Sequence, residues 1–212
     1  MGILHSGLSG GFSNKTGANV GRRVNGQNIV TGLHHRSTKP LTGAQIIQNQ
    51  RFGLLTQFLS KITPLLSVGF KHFVKKNSPY NAAFKFNYKT ATVNEGSGYR
   101  VDYPKIIYSK GNVCKPCCLR VAAIPGFVSF SWVPEVQTMF GRVNDRATFL
   151  IYNVQKNIFM AERYAALRQD LVYQFAVPAD FAGDELHCYM NFNNENGKLT
   201  GESVYGGQIL AN

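Results

Sequence analysis

The first 94 residues contain no aspartate or glutamate; Glu95 is the first acid of the 212-residue chain. Before it stand twelve bases: Lys15, Arg22, Arg23, Arg36, Lys39, Arg51, Lys61, Lys71, Lys75, Lys76, Lys85 and Lys89. From Glu95 onward eleven bases face eleven acids, so the formal net charge of +12 belongs to the first segment. Four of the five histidines, His5, His34, His35 and His72, lie there too. A one-signed stretch of this length predicts a polyanionic partner rather than a solubilising tail. Nucleic acid is the first expectation; an anionic membrane or an acidic protein surface comes next.

Long apolar runs are also missing. No window approaches the ~18 apolar residues of a membrane helix, which predicts no membrane span. No apolar h-region opens the chain, which predicts no secretory signal. The opening Met1-Gly2-Ile3-Leu4-His5-Ser6 fits the loose myristoylation pattern, but that pattern is short and is not the favoured reading.

Cysteine is scarce. Cys114, Cys117 and Cys118 form a C-x-x-C-C cluster, and Cys188 stands alone. A zinc site wants four ligands, and His187-Cys188 could supply one or two. Neighbouring strand residues point to opposite faces, which sets His187 against Cys188 and Cys117 against Cys118. Zinc and a disulfide remain open; the expectation is free thiols used as small apolar residues, with no metal and no cofactor.

Catalytic frames are absent. There is no G-x-S-x-G, no Walker or Rossmann glycine pattern, and no carboxylate pair set up for acid–base work. Asp145, Asp170, Asp180, Asp184 and Glu185 are scattered at turn positions. The expectation is a non-enzyme without a small-molecule substrate.

What is present divides into three parts. Residues 1–41 carry eight glycines and few, mostly single apolar residues. They read as an extended basic arm ordered against a partner, with a hairpin allowed at Asn25-Gly26. Residues 42–77 read as amphipathic helix. Thr42 and Gln45 form a capping box, and Ile47, Leu54, Leu55, Phe58, Leu59 and Ile62 recur at helical spacing over about five turns. Pro64 ends or kinks that helix. A second piece carries Leu65, Leu66, Phe70, Phe73 and Val74, and Asn77-Ser78-Pro79 stops it.

Residues 80–212 read as a β-sandwich. Phe84, Phe86 and Tyr88 alternate with Lys85, Asn87 and Lys89, predicting a first strand; 101–103 and 106–108 are further candidates. Seven segments follow, near 113–124, 127–133, 147–154, 158–162, 171–177, 186–193 and 202–210. Pro125-Gly126, Asn144-Asp145, Pro178, Gly183-Asp184 and Asn196-Gly197 separate them. Short strands at this spacing predict an antiparallel sandwich of immunoglobulin or fibronectin type, with Trp132 facing inward. The fold class expected is therefore mainly β, with a basic arm and one or two helices in front.

The charge has one site attached. Lys15, Arg22, Arg23, His34, His35, Arg36 and Lys39 in the arm, with Arg51, Lys71, Lys75 and Lys76 in the helices, can track phosphates without reading sequence. Neutralising about six phosphates gives a salt slope of roughly −5. Because the charge boundary falls inside the β region, one basic face shared by arm, helices and first strand is expected.

Several motifs together resemble a known family. They are Gly17-Ala18-Asn19-Val20-Gly21, Gly26, Arg36 to Pro40, Thr42-Gly43-Ala44-Gln45 and Gln50-Arg51-Phe52 in the first half. Ser131-Trp132, Tyr152-Asn153, Arg168, Val177-Pro178, Gly183-Asp184-Glu185-Leu186-His187 and Ser203-Val204-Tyr205-Gly206-Gly207 follow in the second. The set resembles an uncharacterised family of similar length from Bacteroidota and their phages. That pattern does not contain the C-x-x-C-C cluster, and it carries no catalytic residues over. A phage setting implies a virion structural protein, a capsid or capsid-associated subunit. Its partners would be copies of itself, other virion proteins and the genome; outside a virion it would be cytoplasmic. The alternatives are a nucleic-acid-packaging protein outside the shell, and a surface adhesion or binding module.

Overall fold

In a computed structural model, residues 3–4, 10–24, 26–35, 38–73, 78–96 and 98–212 are described. They form two compact units, 1–42 and 43–212. At 42% strand against 26% helix the chain is mainly β. No helix among the described residues is long and apolar enough to cross a membrane.

The first unit is an antiparallel meander. Its strands β1 (Ile3–Leu4), β2 (Phe12–Thr16), β3 (Asn19–Val24) and β4 (Gln27–Gly32) pair in chain order. Where the sequence reads as an extended arm, the backbone groups of these strands pair with one another. Tight turns make this possible. Gly17 (φ +56°) follows β2, and Gly26 (φ +82°) sits where Val24 pairs Gln27. Asn25, the other half of the expected turn, lies outside the described residues, as do Met1, Gly2, His5 and Ser6 of the acylation-like opening. Among the described residues from Gly10 to Thr42 only Gly21 is buried. The meander therefore has hydrogen bonds and almost no core.

The second unit begins with α1 (Gly43–Lys61), starting one residue after Thr42 as expected from the cap. Pro64 has no N–H to donate, so α1 stops and α2 (Thr63–Gly69) starts with Pro64 in its first turn. A 3-10 turn covers Lys71–Phe73, and Val74 to Asn77 lie outside the described residues.

The first expected strand is corrected: residues 79–90 are a helix, α3 (Pro79–Thr90). Ser78 caps it by accepting from Asn81 N–H at 3.2 Å, and Pro79 sits in the first turn. The alternation of Phe84, Phe86 and Tyr88 was misleading because 84 and 88 are also four apart. Their rings stack at 5.4 Å on one helical face. The buried positions Ala82, Ala83 and Asn87 keep helical spacing. Asn87 is fully buried; its amide donates to Ala83 O at 2.9 Å and Ile107 O at 2.7 Å, and its Oδ1 accepts from Ile107 N–H.

A two-stranded ribbon, β5 (Thr92–Asn94) with β6 (Tyr99–Val101), follows α3. The candidate strand at 101–103 gives way at Tyr103 to a 3-10 turn, Tyr103–Lys105, because Pro104 cannot donate to a ladder. Residues 106–108 are not in a strand, though Ile106 and Tyr108 are buried.

The seven-strand series is present: β7 (Cys117–Ile124), β8 (Phe127–Val133), β9 (Arg146–Asn153), β10 (Ile158–Leu167), β11 (Val172–Ala176), β12 (Glu185–Asn193) and β13 (Val204–Leu210). They form two antiparallel sheets, β10-β9-β12-β13 and β11-β8-β7. Val128, Phe130, Trp132 and Phe175 from the smaller sheet share a core with Phe149, Ile151, Cys188, Met190 and Phe192 from the larger.

The larger sheet is covered on its other face as well. Leu150, Tyr152 and Tyr189 pack with Leu55, Phe58, Leu59, Leu66 and Phe70 from the helices. The layers thus run helices, four-stranded sheet, three-stranded sheet. Phe149-Leu150-Ile151-Tyr152 needs apolar residues at every position because β9 is buried on both faces.

Candidate functional site

Three basic residues of the N-terminal unit, Lys15, Arg22 and Arg23, lie on strands of a thin sheet. Lys15 pairs with Val20, and Arg22 lies two residues further along β3, so Lys15 and Arg22 share a face. Arg23 points to the other face, and its Nε donates to Gly26 O at 3.4 Å. Lys15, Arg22, Arg23, His34, His35 and Lys39 are all exposed. Arg36 lies outside the described residues. The unit has five Lys and Arg and no acid.

The helical candidates divide differently. Lys71 is exposed on its 3-10 turn, and Lys75 and Lys76 lie outside the described residues. Arg51 is turned inward. Its guanidinium lies 4.1 Å from the Tyr88 ring centre and 4.9 Å from that of Tyr99. It donates to Thr92 Oγ1 at 2.8 Å and to the Tyr88 carbonyl. Those bonds tie α1 to α3 and β5. Lys85 and Lys89, assigned in sequence to a basic first strand, are instead exposed four apart on α3.

Among the described residues of the second unit the most connected charged group is Arg168. Its side chain is 8% exposed and meets Asp145 at 3.1 Å and Glu135 at 3.1 Å. It also donates to Cys114 O at 2.7 Å, and its guanidinium stacks 3.9 Å from the Phe192 ring centre. Its own carbonyl accepts from Trp132 Nε1 at 2.8 Å. Asp145 in turn accepts from Arg142 N–H. Beside this node lies a cleft of about 450 Å³, lined by Cys114, Glu135, Thr138, Val143, Arg168 and Leu171. All three guanidinium nitrogens of Arg168 are engaged within the protein, so the guanidinium organises the cleft wall. Its sequence neighbourhood gave no sign of this beyond its place among the recurring motifs.

A second polar group lies under Tyr103. His187, 4% exposed, places Nδ1 2.8 Å from Tyr205 Oη. Its Nε2 is 3.0 Å from Glu185 Oε1 but is not aligned for a hydrogen bond. The ring packs 4.3 Å from that of Tyr103. Burial holds the imidazole below its ordinary value of 6.5, against the opposing pull of Glu185. The folded chain therefore takes up this proton less readily than the unfolded chain does. At neutral pH both states are uncharged at this position; as pH falls below about 6.5 the unfolded state is favoured progressively, until the folded imidazole also charges. Replacing His187 with glutamine is expected to flatten the loss of stability between pH 6.5 and pH 5 in urea titrations. An unchanged acid limb would show that His187 does not drive it.

The cysteines are free. Cys188 is fully buried, and burial pushes its thiol up to about 12. Among the described residues no group of three or more His, Cys, Asp or Glu is placed to hold a metal ion.

These features define a mainly β protein with a helical layer and an exposed, acid-free sheet at its N-terminus. Residues 11–207 match DUF6266, a family of unknown function, and the chain belongs to that family. No curated protein matches it.

Proposed function

We propose that this chain is a virion structural protein, a capsid or capsid-associated subunit of a bacteriophage. Residues 43–212 serve as the rigid building block, and the N-terminal sheet engages the genome or a neighbouring subunit. One observation carries the reading: in an acid-free four-stranded sheet, strands β2 to β4 bury Gly21 alone and leave most of their side chains exposed. A sheet with so little core gains its stability from what it lies against. Residues 1–42 carry five Lys and Arg and no acid of their own, a balance that favours a polyanionic partner.

The building block fits an immunoglobulin- or fibronectin-like reading. Taking β7 to β13 in order, the first, second and fifth strands form one sheet; the third, fourth, sixth and seventh form the other. Such a block offers the outer face of the three-stranded sheet, the helical layer and the end loops for packing against copies. The chain is on this reading not an enzyme, and its polar clusters at Arg168 and His187 hold the fold.

Assembly is the test. Light scattering should find large particles, with residues 1–42 resisting protease only when assembled. A monomer or dimer that shifts nucleic acid on a gel, and loses the shift without residues 1–41, would place the protein in genome packaging outside the shell. A monomer with a freely cleaved N-terminus and no nucleic-acid shift would overturn both.

A further inference from the structure

Cys117 and Cys118 are neighbours in sequence, and on a regular strand their side chains would point to opposite faces. They do not. Cys117 pairs with Val133, and the next pair is Arg120 with Ser131, so β7 spends one residue more than β8 between them. That extra residue makes a bulge. Within it Cys118 adopts a left-handed backbone, φ +51°, which is unusual for a residue with a side chain. The result is that the two sulfur atoms lie 3.5 Å apart on one side of the strand. Cys118 is exposed and Cys117 half-buried. β7 is an edge strand of its sheet, so a small reagent can reach the pair.

The site has two sulfurs and no further ligand. With no group of three metal-ligating side chains among the described residues, it lacks the donor count of a structural zinc site. Cys118 opposes ionisation of Cys117, first through the hydrogen bond between the sulfurs and then through charge; partial burial and Glu135 add to this. One thiolate beside one thiol is the arrangement from which thiol–disulfide exchange proceeds.

We propose that Cys117 and Cys118 form a redox-active vicinal dithiol whose reaction partners are low-molecular-weight disulfides. The exposed Cys118 thiolate attacks one sulfur of the small disulfide. A mixed disulfide forms, and one small thiolate leaves and takes up a proton. Cys117, having lost its proton, then attacks Cys118 Sγ. The Cys117–Cys118 bond forms, the mixed bond breaks, and the second small thiol leaves. Two electrons and two protons pass from the protein to the small disulfide. A bond between adjacent residues closes a small strained ring, and strained, exposed disulfides are the readily reduced ones. The step is thus reversible by ordinary thiols, and the bulge is the feature that permits it.

The test is oxidation of the full native chain with glutathione disulfide, read by intact mass and by fragmentation of the peptide holding all three clustered cysteines. The expected product has lost two hydrogen atoms per chain, carries no glutathione, and places the bond between Cys117 and Cys118. Dithiothreitol should restore it. In Cys114→Ser the product should be unchanged. In Cys117→Ser a stable glutathione adduct should remain on Cys118. Glutathione retained on the unaltered protein would overturn the proposal, as would a bond to Cys114 or no reaction at Cys118. Fragmentation of the unaltered chain decides the matter even if a variant fails to fold. Cys188, fully buried, should remain unmodified throughout.

Discussion

Replacing Arg168 with alanine is expected to destabilise the protein by about 3–5 kcal/mol, the usual cost of breaking a buried ion pair from one side. The substitution leaves Asp145, 4% exposed, without its cation. It also removes a donor from Cys114 O and the cationic stack on Phe192. These contacts join the loop before β7, the turn before β9, and β12. At this size such a loss lowers the melting temperature by roughly 10 °C. Lysine should rescue little. It keeps the charge but cannot reach Asp145, Glu135 and Cys114 O at once, because it lacks the planar fork. A loss under ~1 kcal/mol in Arg168→Ala, measured by urea unfolding, would reduce the node to a surface ion pair.

The second large effect is electrostatic. If the five bases of residues 1–42 each neutralise one phosphate, binding to duplex DNA follows a slope of about −4.5 against log salt. Affinity then falls by roughly 500-fold between 50 and 200 mM salt. Changing Lys15, Arg22 and Arg23 together to glutamine should weaken binding and make the slope shallower by about 2.7. The three lie on exposed strands, so folding of 43–212 should be unaffected. Changing Arg51 to glutamine should act differently, because Arg51 is held between Tyr88 and Tyr99: stability should fall and the salt slope should stay. Fluorescence anisotropy across a salt series separates the two. An unchanged slope in the triple variant would remove the N-terminal sheet from the interface.

The strands were legible where one rule governed them. Alternation and the Pro125-Gly126 turn located β8 over Phe127–Val133. The break at Pro64 was legible too, since its chemistry is local. Residues 79–90 misled because an aromatic every second residue also satisfies a helix, and only the Ser78-Pro79 start and the buried Asn87 decide between them. The helical covering of the larger sheet was not readable: Tyr152 and Tyr189 look like the outward positions of a half-buried strand until helices pack on them. The N-terminal meander was hidden by its composition. With so few apolar residues, its order rests on turns at Gly17 and Gly26 and on backbone pairing, which carry little side-chain signature. The chemistry of the cysteines depended on a bulge, and alternation alone had set Cys117 and Cys118 apart.

Hydrogen–deuterium exchange of the full chain, with and without saturating duplex DNA at low salt, tests the central claim most directly. Amides of β2, β3 and β4 should slow markedly on adding DNA, while those of β9 and β12 keep their rates. Slowing confined to residues 43–212, or none anywhere under conditions where binding is saturated, would contradict it.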